Sequence, residues 1–485
     1  MTTINGSTKG NNGRSSVRRR TTTTTKINLE QKLLLTLVCC AAFIFISYLY
    51  SRNSDNDDLH TSLGRQTMRM GLGKRSNNHQ RGGGGGSSRM LQIRRAMTDP
   101  NYDTYDKLQA HKILSAEANL IDVSIHGEEN IALEDNDYSG VIGHFCPLNF
   151  QVQKDNPPDS PMFRDVVSKS QGCSNGENVI KVDLKEAVTL SREFDTFATE
   201  KEYDVTYYNV PKQLQLKGVV FHESRCGSTL AANTMMAMNP MRHRVYSESS
   251  PPIAAIKACG ELYEDCSVEA SAYLLRDIIY MMGRSNDPNE EHLFFKFQSI
   301  TTRNMDTFRK AFPETPWIYL YREPVEVMMS QLDVPQMRMA NCVRSHSRSE
   351  MVTKFVARSG YHPQDLDDEE WCAIHLATLC ESAIKNLNDA DGLGMAVNYH
   401  KDLVHDFLDT VFPKHFDVPL DQEAIDRVME VSGIYSKNRG RQGEFKADSE
   451  EKEKKASDGI REASSLFLEP SFHTLQDSRY NIKNR

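Results

Sequence analysis

The sequence is short of the features that would place it in several common classes. Its 485 residues hold 58 Lys and Arg against 66 Asp and Glu, a net charge of −8. The basic surplus of a nucleic-acid binder is therefore missing. The ten cysteines include no Cys-x-x-Cys pair, which removes the ligand spacing of a structural zinc site. Apolar residues are slightly scarce. Residues 51–110, with SerAspAsnAspAsp at 54–58 and the run Gly82–Gly86, have too few of them to offset the entropy of ordering a chain. The length allows two or three domains, but much of the first quarter is not core material.

Charge is also absent from one place where its absence carries information. Leu33–Tyr50 runs eighteen residues without a charge. As a helix it spans about 27 Å, the hydrocarbon thickness of a thin internal membrane. Residues 1–32 before it are basic, with Arg14, Arg18, Arg19, Arg20, Lys26 and Lys32 against the single acid Glu30. Positive flanks stay in the cytosol, so the rest of the chain is expected in a lumen. The long basic lead and the lack of a small-residue cleavage site favour a signal anchor over a cleaved signal peptide. Residues 51–139 then read as a flexible stem, 140–214 as an extension of the luminal domain, 215–447 as its main body and 448–485 as a charged tail. In an oxidising lumen Cys146 with Cys173 and Cys259 with Cys266 are expected disulfides. Cys372 and Cys380 form a third pair, or stand as two buried thiols about two turns apart on one helix.

The stretch that organises the main body is residues 217–230, LysGlyValValPheHisGluSerArgCysGlySerThrLeu. Gly218–Phe221 reads as a short buried strand. Ser224–Gly227 makes a tight turn, and Ser228, Thr229 and Leu230–Met238 read as a helix. A strand turning through glycine into a helix N-terminus aims backbone N–H groups and a positive dipole end at one point, an anion site. An incidental glycine between a buried strand and a helix is the bland alternative.

Four further strands follow, at 244–247, 293–297, 317–321 and 395–399. Helical patterns at Glu269–Gly283, Thr302–Phe312, Pro324–Leu332 and Glu369–Leu387 separate them. The alternation predicts an α/β fold, a P-loop-like three-layer αβα arrangement around a central parallel sheet. In such sheets ligands gather beyond the carboxyl ends of the strands. Arg225, Glu248, Lys296 and Arg322 all fall there. Each has a dull explanation alone, but a lysine inside LeuPhePheLysPhe must be paired or must lie where the strand leaves the core.

A Walker-type loop requires a lysine after its last glycine; Ser228 stands there, which argues against ATP or GTP hydrolysis and against a nucleotide kinase. The pattern instead resembles the sulfotransferase superfamily, whose donor is 3′-phosphoadenylyl sulfate (PAPS). Arg225, Cys226, Gly227, Ser228 and Thr229 match its 5′-phosphosulfate loop. Arg322, with Ser330 eight positions later in a helix begun by Pro324, matches its 3′-phosphate site. The finer likeness is to the Golgi branch and tyrosylprotein sulfotransferases. It rests on Asn239–Pro240, a catalytic glutamate at Glu248, a strand-borne catalytic lysine at Lys296, TyrHisLysAspLeuVal (399–404) and a C-terminal Ser436–Lys437. The resemblance spans roughly residues 215–445 and implies a metal-independent transfer of a sulfuryl group from PAPS to a hydroxyl of a luminal acceptor, a glycan, a protein tyrosine or a small alcohol. It implies that Arg225 and Lys296 stabilise charge and that Glu248 takes the acceptor proton.

Two departures stand out. Cytosolic sulfotransferases have a lysine in place of Arg225 and a histidine in place of Gln298. Residues 140–214 match nothing in the family, and Asn341–Asp368 reads as an insertion. A luminal nucleotide- or glycan-binding protein that has kept the fold without turnover is the competing class. The anchor makes a direct prediction: protease added to sealed microsomes should leave residues 140–485 intact until detergent opens the membrane, and digestion without detergent would refute the topology.

Overall fold

Ten strands are present among the described residues: β1 (Asn119–Ser124), β2 (Ile142–Cys146), β3 (Ile180–Asp183), β4 (Lys212–Gln213), β5 (Gln215–His222), β6 (His243–Ser247), β7 (Arg284–Ser285), β8 (His292–Lys296), β9 (Trp317–Tyr321) and β10 (Gly394–Asn398). The computed structural model describes residues 90–125, 133–200, 211–259, 266–344, 349–389, 392–400, 402–434 and 449–484. Leu33–Tyr50, most of the expected stem, and Ser436 with Lys437 lie outside them. Among the described residues no helix is long and apolar enough to cross a membrane.

The five strands expected from the sequence form one parallel sheet, ordered β10-β9-β5-β8-β6. Alternate side chains of each strand enter one of two cores, as the period of two requires. Val220, Val245, Phe294, Ile318, Leu320 and Val397 pack with helix Ser228–Met238 and the segment 403–431. Phe221, Tyr246, Phe295, Trp317, Tyr319 and Tyr321 pack on the opposite face. The helices there are Ser250–Lys257, Val268–Met282, Met305–Ala311, Pro324–Leu332 and Asp368–Asn388. The result is helix, sheet, helix in three layers. Local signals agree with it: Pro324 opens its helix behind Glu323, whose side chain accepts from Glu326 N–H, and Asp367 with Glu370 forms a capping box.

Three expectations change. The stem ends earlier than residue 139. Residues 90–125 are folded, with Leu91, Ile93, Ala96, Ile113, Leu114 and Leu120 buried. Apolar residues are sparse there, but those named converge on one core, which a composition count does not register. This segment and the extension build a second sheet, β1-β2-β3, antiparallel throughout. Buried Arg284 fastens it to the main body by donating to the carbonyls of Ile113 and Leu114 and to Asp195.

The C-terminal segment is likewise no solvated tail. Ile460, Ala463, Phe467, Leu468 and Leu475 are buried. Asn481 donates to the Tyr321 hydroxyl at 2.6 Å, and Ala396 N–H donates to the carbonyl of Tyr480 at 3.0 Å. The chain end thus covers the outer edge of β10, where open N–H groups would otherwise invite pairing.

The third correction concerns cysteine. Cys146–Cys173 and Cys259–Cys266 are bonded as expected, but Cys372 pairs with Cys342, and Cys380 is a free buried thiol. Cys372 and Cys380 share the helix Asp368–Asn388; two turns of helix hold their Cα atoms about 12 Å apart, beyond disulfide reach. The bond to Cys342 ties the 341–368 insertion back to the core helix. Peptide mapping without reduction should recover these three disulfides and free thiols at Cys226 and Cys380; a Cys372–Cys380 peptide would contradict the fold.

Candidate functional site

The site begins where β5 ends. His222 is buried, accepts the Ser224 N–H at Nδ1 (2.9 Å) and so carries its proton on Nε2, which donates to the carbonyl of Phe297 at 2.9 Å. Burial, reinforced by Lys296, pushes its pKa down to about 3 and keeps it neutral. The chain then turns through three left-handed residues, Ser224 (φ 73°), Arg225 (φ 57°) and Gly227 (φ 80°). Non-glycine residues accept this conformation at a cost, and such residues cluster at functional sites. Gly227 has a second constraint, because a Cβ there would lie 2.3 Å from the Tyr399 ring. Helix Ser228–Met238 follows with no side-chain cap, leaving its first-turn N–H groups to whatever occupies the cleft.

That cleft, about 770 Å³, is lined by His222, Arg225, Gly227, Ser228, Thr229, Glu248, Arg322, Ser330 and Tyr399, among others. It joins most of the residues singled out in the sequence. Arg225 Nε donates to the carbonyl of Ser330 at 3.0 Å, so the turn after β5 is linked directly to the helix after β9. The Arg322 guanidinium lies 4.7 Å from the Tyr399 ring centroid, and its Nε donates to Glu326 at 2.7 Å. Cys226 departs from expectation. Its side chain is buried away from the cleft with Sγ 3.2 Å from the carbonyl of Leu320, and burial pushes its pKa up to about 12. Only its backbone can serve a ligand.

The second centre is the pair Lys296–Glu248. Lys296 ends β8 and is fully buried; Glu248 follows β6, the neighbouring strand, in a left-handed conformation (φ 56°). Glu248 N–H donates to the Lys296 carbonyl at 2.7 Å, and the Lys296 ammonium donates to Glu248 Oε1. Burial alone would raise the Glu248 pKa, but the Lys296 charge outweighs it, with Arg164 adding, and holds the carboxyl below its ordinary range. Burial lowers that of Lys296, with Glu248 opposing. The arrangement is an ionised carboxylate at the cleft wall with one oxygen committed to an ammonium, a group able to accept a proton.

Sequence reasoning missed three participants. Glu223 lies just under the turn, fully buried, where its carboxyl accepts the Arg322 N–H and meets Cys380 Sγ at 3.6 Å. Lys452 donates to Ser330 Oγ at 2.6 Å, from a Lys- and Glu-rich run that reads as a solvated face. Arg164, in the extension, lies 3.9 Å from Glu248 Oε2. Nothing in the sequence connects the segments of Lys452 and Arg164 to the strand ends, whereas Glu223 directly follows β5. His362, in the 341–368 insertion, does not line the cleft.

Another hollow, more open and about 860 Å³, lies between helices Leu184–Glu200 and Val268–Met282. Two of its cations are committed, Lys185 to Asp137 and Arg192 to Asp277, and none of the five sheet strands contributes to its lining. The chemistry therefore belongs to the cleft. Among the described residues no group of His, Cys, Asp or Glu could hold a metal ion.

No family model matches the chain, and no curated protein matches it. Among solved structures it is similar to the sulfotransferase STF9 from Mycobacterium avium, at 13% identity and a TM-score of 0.32, over 59% of this chain and 83% of that one. Likeness at that level carries no argument about fold or chemistry. The five-stranded parallel sheet and the cleft at its carboxyl end rest on the geometry described above.

Glu223 yields a pH prediction. Burial raises its pKa from the ordinary 4.5 to about 8. The folded protein thus keeps a proton that the unfolded chain releases. The stability this supplies is complete below the unfolded pKa and is lost as pH rises through the folded one. Glu223→Gln should lack this dependence, so between about pH 5 and 8 the wild-type urea midpoint should fall relative to that of the variant. Parallel pH profiles would mean the carboxyl is ionised in place.

Proposed function

We propose that the protein is a sulfotransferase that moves a sulfuryl group from PAPS to a hydroxyl of an acceptor. One observation carries the reading: an ionised glutamate paired with a buried lysine shares a cleft with the Arg225–Thr229 turn and with Arg322 and Ser330. The donor set suits a bis-anionic nucleotide. The Nη groups of Arg225 find no hydrogen-bond partner among the described residues, the Ser228–Met238 helix is uncapped, and Tyr399 seats the Gly227 backbone. Arg225, Ser228, Thr229 and the loop N–H groups would hold the 5′-phosphosulfate. Arg322, Ser330 and Lys452 would hold the 3′-phosphate, with Lys452 doing what Ser436 and Lys437 were expected to do.

PAPS supplies an activated sulfuryl group. Glu248 takes the acceptor proton as the acceptor oxygen bonds to sulfur. Lys296 and Arg225 donate to the negative charge that grows on the phosphate oxygen as its bond to sulfur breaks. Positioning and charge stabilisation do most of the work, as in phosphoryl transfer. The three disulfides are compatible with an oxidising lumen. Together with the basic lead before Leu33–Tyr50 they support a Golgi-type, single-pass setting with the catalytic domain inside.

Labelled PAPS and a panel of hydroxyl acceptors test the proposal. Glu248→Gln should lower turnover by roughly 10²–10⁴ while affinity for the 3′,5′-bisphosphate product stays nearly constant. Arg322→Ala should weaken that affinity about tenfold or more. Tight nucleotide binding without transfer to any acceptor would point to a binding protein, and equal affinity for ADP and the bisphosphate would remove the donor assignment.

A further inference from the structure

The N-terminal extension does more than support the sheet. Its helix Phe163–Lys169 is set against the end of β6 by firm contacts. The Phe163 ring lies 5.3 Å from the Tyr246 ring, the Ser247 hydroxyl meets Met162 Sδ at 3.4 Å, and Asp165 accepts the Met162 N–H at 3.1 Å. Phe163, Asp165 and Val166 are buried, whereas the side chain of Arg164 between them is 58% exposed and lines the cleft.

Its guanidinium is placed but not used. Nη1 lies 3.9 Å from Glu248 Oε2, too far for a hydrogen bond. Among the described residues Arg164 donates no hydrogen bond at all. Lys296 occupies Oε1, the other oxygen of the same carboxylate. Oε2 is therefore the oxygen left to an acceptor hydroxyl, and Arg164 stands on the acceptor side of the base, opposite the lysine. A hydroxyl bonded to Oε2 at about 2.8 Å has Nη1 within roughly 7 Å. The planar fork of an arginine is matched to carboxylates and sulfates, which it grips with two parallel N–H donors.

We infer that Arg164 selects an acceptor carrying a carboxylate or sulfate a few bonds from the hydroxyl that is modified. The inference rests on the proposed sulfuryl transfer. It makes the extension the part of the chain that sets acceptor choice, while the strand ends of the main body hold the donor. The anion could belong to an aromatic acid or to an acidic sugar; the chemistry Arg164 reads is the same.

Two matched pairs of small acceptors test it with labelled PAPS: 4-hydroxyphenylacetate against p-cresol, and methyl glucuronide against methyl glucoside. In at least one pair the wild type should prefer the anionic member in kcat/KM by about 10–100-fold, and that pair identifies the source. Arg164→Gln should bring the ratio close to one, mainly through KM, and Arg164→Lys should keep part of it. A ratio is used because removing Arg164 also alters Glu248, and that change divides out of a comparison between two acceptors. A wild-type ratio near one in both pairs, or a ratio unchanged in Arg164→Gln, overturns the inference. If no acceptor is sulfated, the functional reading fails first. Calorimetry with the two anionic compounds then decides separately: binding lost in Arg164→Gln upholds the anion site, and binding equal in both proteins, or absent from the wild type, overturns it.

Discussion

A lysine ammonium with no solvent exposure fixes the middle of this molecule. Lys296 sits at the end of β8, the next residue but one to Phe294, a core residue. Burying such a charge alone costs several kcal/mol, so a carboxylate has to meet it. The parallel register that sets Ser247 opposite Lys296 brings the following residue, Glu248, to that position. Glu248 reaches it by adopting a left-handed backbone, and its N–H closes on the lysine carbonyl. The ion pair therefore specifies the alignment of β6 with β8, and the same requirement leaves an ionised oxygen facing the cleft. Structure and chemistry share one electrostatic constraint here.

A similar logic governs the other wall. The turn after β5 is held by side chains that belong to different strand ends: His222 accepts its N–H, Arg225 reaches the Ser330 carbonyl, and Tyr399 leaves room only for glycine at 227. None of these contacts is local beyond the histidine. The turn is thus preorganised by the assembled sheet, so its left-handed residues are paid for by packing elsewhere. Burial raises the pKa of Glu223 beneath it to about 8, so that it accepts the Arg322 N–H as a neutral acid without placing a full negative charge under the turn.

The sheet strands and most of the cleft were legible because their signals are short-range. LeuPhePheLysPhe and TrpIleTyrLeuTyr are apolar runs of strand length, and the polar residues just after them are at strand ends by necessity. Arg225, Glu248, Lys296 and Arg322 could be placed in this way, whereas Ser330, inside a helix, was placed only through the family resemblance. What was not legible depends on folding distant segments together. Cys342 and Cys372 lie 30 residues apart, and only the docking of the insertion on helix Asp368–Asn388 makes them partners. Lys452 and Arg164 look like any surface cation until the C-terminal helices and the extension are packed. Residues 90–125 were misread for a different reason, since a composition count does not show that Leu91, Ile93, Ile113, Leu114 and Leu120 are buried together.

The cleft consequently has three contributors with separate duties. The sheet supplies the anion-binding turn and the lysine–glutamate pair. The C-terminal segment covers the edge of β10 and sends Lys452 to Ser330. The extension, clamped by Cys146–Cys173 and by Phe163 against Tyr246, brings Arg164 to the opposite side of Glu248. On the proposed reading, cations at both ends of the cleft with one carboxylate between them would serve two anionic partners meeting at that carboxylate. Arg225 and Arg322 are each tied through Nε to the helix after β9, while the Arg164 side chain donates no hydrogen bond among the described residues. A fixed end suits a ligand that is always the same, and a free, exposed cation on a separate structural module suits the partner whose identity can change without disturbing the sheet.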